Sequence, residues 1–234
     1  MRITPEYGNV GIVLLGSFNP PIFRPEWFAK TGIISDEAAA TAEIEVIHKQ
    51  ISAFRMAWAS LRIESESFVA ETDDAPYVRL FDLIMKTFRE RLEHTPLWAV
   101  GINRRVHFRV RDVKTRDAIG KRLAPPEAWG EWGAMVTKEL NEQSPERHGG
   151  MLSLTMQQRM IGDDRPGGSI NARIEPSTRI PGGIGVFMEI NDHYELPDRK
   201  NVVGCDQIIA LLERNFESSL KRSEWIIDQI MALG

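Results

Sequence analysis

The 234-residue sequence contains one cysteine, Cys205, so it has no means of forming an intrachain disulfide or a cysteine-built zinc or iron–sulfur site. It also lacks long apolar runs. The longest early one, Val10 to Leu15, is interrupted by Gly11 and is too short for a signal-peptide core or a membrane span. Charge of one sign is not in large excess either. The formal net charge is −4, which argues against a generic nucleic-acid coat and requires any such contact to use a local basic patch. The GxSxG elbow and the GxxxxGK[ST] phosphate loop are both missing. His48, His94, His107, His148 and His193 show no HxH or HExxH spacing. These absences lead to an expectation of a cytoplasmic protein with no membrane partner, no cofactor and no metal.

What is present suits an ordinary folded domain. Hydrophobic residues make up 42 % and charged residues 26 %, in the normal range for soluble domains. A chain of this length buries roughly 70 % of its unfolded surface, so it folds without a covalent or metal staple. No Gly/Ser-rich or charged linker divides it, and one α+β domain over 1–234 is expected.

Periodicity supplies the elements. Val10–Gly16 reads as a buried strand. The Pro- and aromatic-rich "SFNPPIFRPEWFAKTG" enters a short helix at Pro25 and stops at Gly32. Glu43–His48 alternates as a strand, and Phe54–Ile63 with Ser67–Thr72 reads as a strand pair. A helix over Tyr77–Leu92 carries an apolar stripe of Tyr77, Leu80, Phe81, Ile84, Phe88 and Leu92. Trp98–Val113 reads as one long strand, and 114–142 as helical or irregular. Three strands follow over Met151–Met160, Ser169–Glu175 and Gly185–Asn191, joined by "GDDRPGG" and "STRIPGG". "GGIG" (Gly182–Gly185) runs into a strand and so reads as a turn, not a dinucleotide fingerprint. A long helix over Asp206–Met231 closes the chain on Ile209, Leu212, Phe216, Leu220, Ile227 and Ile230.

The order strand, helix, three strands, helix can be read twice, over 1–95 and 96–234. Two such units joined edge to edge give a broad antiparallel sheet with helices on one face and a polar open face. The alternative is a single α+β sandwich without a repeat.

The most informative segment is "GINRRVHFRVRD". Strand alternation puts Asn103, Arg105, His107, Arg109 and Arg111 on one face, with Ile102, Val106, Phe108 and Val110 on the other. Arginine forks bind phosphates and carboxylates bidentately, so this face reads as an anion or partner site. It reads equally as a cross-strand charge ladder completed by Glu175 and Glu189. Later strands add Ser153, Thr155, Gln157, Arg159, Ser169, Asn171 and Arg173 to the same polar surface, alternating with Leu152, Leu154, Met156, Ile170, Ala172 and Ile174.

"APPEAWGEWG" places Trp129 and Trp132 three residues apart among prolines and glycines. Such a pair is either an interface anchor or stacking platform, or a plug sealing the sheet end. Phe18, Phe23, Trp27 and Phe28 in the earlier aromatic loop present the same choice. Asp192 and His193 are adjacent in a strand, so they point to opposite faces and do not converge on a catalytic or metal site. Cys205 precedes the last helix, whose dipole lowers a thiol pKa when the thiol is exposed; as a lone small residue it reads instead as buried and inert.

The segments "LLGSFNPPIFRPEWF", "HTPLWAVGINRRVHF", "APPEAWGEWG", "IPGGIGVFMEINDHY" and "NFESSL" resemble members of a sporadically distributed bacterial family of cytoplasmic α+β proteins of uncharacterised activity. The resemblance spans most of the chain on structural motifs and carries over no catalytic residue. It implies accessory loci such as defence or conflict systems.

Three functions follow as expectations. The first is a non-catalytic protein binding a protein partner or a second copy of itself, as a subunit of an accessory or defence complex, with Trp129 and Trp132 at the interface. The second is nucleic-acid or nucleotide binding through Arg105, His107, Arg109 and Arg111, with Arg173 beside them as an anion- or partner-binding residue. The third is a small-molecule hydrolase or transferase using His107 or His193. They differ in what they require: an exposed apolar patch, a connected positive surface, and a closed pocket holding a histidine with a carboxylate.

Overall fold

A computed structural model describes residues 3–136, 150–160 and 167–234. Its strands are β1 (Tyr7–Gly16), β2 (Glu43–His48), β3 (Ile51–Arg55), β4 (Ser60–Glu64), β5 (Ser67–Thr72), β6 (Leu97–Arg109), β7 (Leu154–Met160), β8 (Gly168–Pro176) and β9 (Gly185–Glu195). They form one nine-stranded sheet in the order β2-β3-β4-β5-β1-β6-β9-β8-β7, antiparallel at every pairing. The helices are α1 (Pro25–Lys30), α2 (Asp36–Ala40), α3 (Val78–Glu90), α4 (Val113–Leu123), α5 (Gly130–Val136) and α6 (Asp206–Met231). The protein is therefore α+β, with a broad antiparallel sheet, helices on one face and a long C-terminal helix. Strand, helices, antiparallel strands and closing helix occur in that order twice, and β1 and β6 meet at the centre.

Local chemistry explains the helix starts and stops. Ser35 caps α2 by accepting from the Ala38 N–H at 3.1 Å, and Asp112 caps α4 by accepting from the Thr115 N–H at 2.8 Å. Pro25 opens α1. Gly32, at φ +76°, takes the left-handed turn that stops it.

Alternation along the strands divides the two faces. Val10, Ile12 and Leu14 of β1 and Val100, Ile102, Val106 and Phe108 of β6 are buried beneath the helices. α6 packs across β6 and β9 and against α3, burying Ile209, Leu212, Phe216 and Ile227. A phenylalanine cluster fills the first half. Phe23 meets Phe68 at 5.4 Å and 70°, and Phe68 meets Phe88 at 5.2 Å and 82°, edge-to-face geometries that add to burial.

Several expectations change. Phe54–Ile63 is two strands, because the chain turns at Met56–Ala59, closed by the Met56 N–H on the Ala59 carbonyl at 2.8 Å. The first half thus has four strands after its first helices, not three. β6 ends at Arg109, so Arg111 lies beyond the strand and not on its face. The strand expected from Met151 begins at Leu154, so the exposed Leu152 precedes it, and Met156 is largely exposed because β7 forms the sheet edge. The expected helical or irregular stretch continues in α4 and α5, and its remainder from 137 to 142, with His148 and most of the "GDDRPGG" turn, lies outside the described residues.

Candidate functional site

The helix-free face is built by pairing register. On β1 the side chains of Asn9 and Gly11 face it. Asn9 stands opposite Arg105 of β6, and Gly11 stands between Asn103 of β6 and Glu71 of β5. A Cβ at Gly11 would meet Glu71 Cγ at 3.3 Å, so the bare glycine leaves room for the Glu71 chain to lie over it. Arg105 uses that opening. It bonds Glu71 on one side, and its Nε donates to Glu189 Oε1 on the other at 2.6 Å. Arg173 of β8 donates to the second oxygen of Glu189 at 2.8 Å and stands 3.4 Å from Glu175. Arg109 forks onto Glu6 with bonds of 2.7 and 2.8 Å. Arg111 reaches Asp112, the α4 cap, at 3.2 Å.

Every arginine of the candidate site is therefore matched by a carboxylate: Arg105 and Arg173 in a cross-strand ladder on Glu71 and Glu189, Arg109 on Glu6, and Arg111 on its own neighbour Asp112. Glu189 and Glu175 take the places expected of them, whereas Glu71 and Glu6 come from the first half of the chain. Burial works against the Arg105 cation, but hydrogen bonds to Glu189 and Glu71 outweigh it and hold its pKa above the ordinary value. The Arg109 hydrogen bond holds the Glu6 carboxyl below its usual range.

His107 is differently placed. Its Nδ1 lies 2.7 Å from Ser177 Oγ, and its ring packs against Phe187 at 4.8 Å. Ser177 Oγ also accepts from the Arg179 and Ile180 N–H groups, both at 3.2 Å. Those bonds occupy the oxygen's lone pairs, leaving its proton for His107 Nδ1. The imidazole is thereby held neutral with its proton on Nε2. Burial, and then the Arg179 charge, push its pKa down.

His107 shares a cleft of about 460 Å³ with residues of both halves. Gly8, Asn9 and Glu71 line it centrally. Arg105, His107 and Arg179 stand on the β6 side, and the Met56–Ala59 turn with Asp73 and Asp74 on the β5 side. Thr72 ties the turn to β5 by donating to the Trp58 carbonyl at 2.6 Å.

Asp192 and His193 point to opposite faces as expected. Asp192 is buried under α6, where it pairs with Arg222 and accepts from the Tyr194 hydroxyl at 3.0 Å. His193 faces the open side, 3.4 Å from Glu195. Among the described residues no group of three or more His, Cys, Asp or Glu side chains is placed to hold a metal.

Other residues escaped the sequence reading. Arg104 sits in the buried half of the β6 alternation, only 3 % exposed. It donates to the Asn9 carbonyl at 3.0 Å and lies over Tyr77 at 5.1 Å. Alternation from Ile102 to Val106 was the available signal for it. Ser177, Arg179, Asp73 and Asp74 carried no signal, because only long-range pairing brings them to His107 and Asn9.

Trp129 ends a 3-10 turn over Pro126–Trp129, and Trp132 lies in α5. They meet edge to face at 5.5 Å and 62°. At 61 % and 59 % exposed, with Met135 at 64 %, they do not plug the sheet end; that reading is corrected. The earlier loop does form a plug, since Phe18, Phe23 and Phe28 are all buried. Cys205 is also buried. Its thiol donates to the Phe88 carbonyl at 3.3 Å, and burial pushes its pKa up to about 11, so the helix does not activate it.

No family model matches the chain, and no curated protein matches it. Among the described residues no helix is long and apolar enough to cross a membrane.

Proposed function

We propose that the protein is a non-catalytic binding protein whose partner is another protein chain, in keeping with a subunit of an accessory or defence complex in the cytoplasm. The observation that carries this reading is the exposed Trp129–Trp132 pair with Met135 beside it. Tryptophans supply large contact areas and are enriched among the residues that dominate interface energy, and clustered exposed apolar side chains mark interaction sites more than isolated ones do. The paired arginines weigh against nucleic acid, because a phosphate would have to displace Glu6, Glu71 or Glu189 from each fork. Of the two candidate histidines, His107 weighs against hydrolysis. His107 points its acceptor nitrogen at Ser177, whose oxygen is engaged by two backbone donors and is itself mostly buried.

The test is co-purification from the native host of the wild type and of a Trp129→Ser/Trp132→Ser variant, with the oligomeric mass measured for each. The reading expects a protein that accompanies the wild type, or a second copy of the chain, to be lost from a variant whose melting is unchanged. Retention of the same companion by the variant overturns it. So does a companion made of nucleic acid that Arg109→Glu releases and the tryptophan variant keeps.

A further inference from the structure

Within the cleft beside Asn9, Arg105 pairs with Glu71 and Arg55 stands 4.0 Å from Glu45, whereas Arg179, Asp73 and Asp74, which also line it, are in no ion pair among the described residues. Among the described residues no carboxylate stands within 4.0 Å of Arg179; its guanidinium lies over the Tyr7 ring at 4.7 Å. Stacking of this kind occupies the plane of the group and leaves its N–H edge for a fork onto an anion. His107 stands beside it, and the saturation of Ser177 Oγ sets its tautomer so that Nε2 carries a proton. Two donors of an anion site thus stand at the β6 side of the cleft.

The β5 side carries the opposite sign. Asp73 accepts from Asn9 Nδ2 at 2.9 Å, and among the described residues neither Asp73 nor Asp74 has a cation within 4.0 Å. A purely anionic ligand would face the uncompensated Asp73 and Asp74, and a purely cationic one the uncompensated Arg179. A ligand carrying both signs, with the anion towards β6 and the cation towards β5, meets each wall with its complement.

Distance narrows the class. His107 lies on β6, and Asp73 and Asp74 directly follow β5, the two strands that flank β1, so these backbones stand about 10 Å apart, two strand spacings; Arg179, in the β8–β9 connection, lies over Tyr7 on the β6 side. A span of that order exceeds the separation of ammonium and carboxylate in a free α-amino acid and suits the two ends of a dipeptide. The cleft volume of about 460 Å³ falls in the range of small-molecule sites.

We infer that this cleft binds a short peptide-like zwitterion, its carboxylate held by Arg179 and His107 and its ammonium by Asp73 and Asp74. The site is separate from the tryptophan pair and stands or falls independently of the partner reading.

The experiment is calorimetry and thermal shift on the full chain with a panel of free dipeptides bearing small, aromatic, acidic and basic side chains, at up to about 10 mM. Each dipeptide that binds is repeated as its N-acetyl and C-terminal amide forms, and free alanine serves as the short-span control. At least one free dipeptide is expected to bind and raise the melting temperature, with alanine and both capped forms roughly tenfold weaker or more. Arg179→Gln is expected to weaken the free dipeptide by about tenfold and leave the amide unchanged. Asp74→Asn is expected to weaken the free dipeptide similarly and leave the N-acetyl form unchanged. Both residues are exposed, and the variants' melting without ligand separates lost binding from lost folding. The inference is overturned if no dipeptide of the panel binds, if capped and free forms bind alike, or if neither variant changes the affinity. A dipeptide site that persists in the Trp129→Ser/Trp132→Ser variant leaves the partner reading to its own test.

Discussion

Two connections in this protein are rich in proline and aromatic residues, and they fold to opposite ends. "SFNPPIFRPEWF" follows β1 and turns inward: Phe18, Phe23 and Phe28 join Phe54, Phe68 and Phe88 in the core. "APPEAWGEWG" follows α4 and turns outward, leaving Trp129 and Trp132 more than half exposed. Composition does not separate the two. Backbone anchoring does. The first loop is tied to the sheet by Ser52 Oγ donating to the Phe23 carbonyl at 2.5 Å and by the Ser17 N–H on the Pro96 carbonyl at 3.0 Å. The second packs mainly on itself. A Cβ at Gly133 would stand 2.0 Å from the Pro126 carbonyl, so α5 closes against its own preceding turn. In this protein the inward loop has backbone groups satisfied by neighbouring segments of the sheet, and the outward one closes against its own preceding turn.

The comparison is broken most strongly by Phe23→Ala. Removing a buried ring that touches Phe68, Phe28 and Phe18 is expected to cost about 3–5 kcal/mol, read from the midpoint of denaturant unfolding. A change under about 1 kcal/mol would place this loop with the exposed one. Ser52→Ala comes next. It leaves the Phe23 carbonyl without its donor in a buried setting, at an expected cost of about 1–3 kcal/mol, which Ser52→Thr should partly restore.

A smaller effect is expected from acid. The folded site holds the His107 pKa below its ordinary value of 6.5, through burial and then Arg179. The unfolded chain therefore takes up the proton first, so this contribution to stability is whole above pH 6.5 and is lost as pH falls below it towards the folded value. The wild type should lose more stability between about pH 7 and pH 5 than His107→Gln does. Equal losses would show that the neutral imidazole is not what the fold prefers. The smallest effect belongs to the outward loop. Trp132→Ser is expected to change stability by no more than about 0.5 kcal/mol while removing the bound partner. A large loss of stability would mean that this ring is packed like Phe23.

The fold was legible wherever one periodicity ran uninterrupted. Asp206–Met231 is helical over the range its stripe marks, and Glu43–His48 is β2. Alternation in "GINRRVHFRVRD" correctly put Arg105, His107 and Arg109 on one face and Val106 and Phe108 on the other. It failed at Arg111, where the Asp112 cap ends the strand, because a strand pattern does not reveal where capping chemistry takes over. It also failed between Phe54 and Ile63, where two short strands and a tight turn imitate one long alternation.

The sequence by itself determined the class of the protein and the chemical character of each face, because side-chain period and burial preference are local properties of the chain. It also carried the identity of the ladder arginines. Only the tertiary structure decided which carboxylate each one meets. Glu71 reaches Arg105 across a bare Gly11, and Glu6 is brought to Arg109 by the pairing of β1 with β6. The cleft is likewise a product of long-range pairing, with Asp73, just after β5, and Arg179, in the β8–β9 connection, more than a hundred residues apart in the chain and both lining it. Register over such separations is set by the packing of the whole sheet against its helices, and no local pattern encodes it.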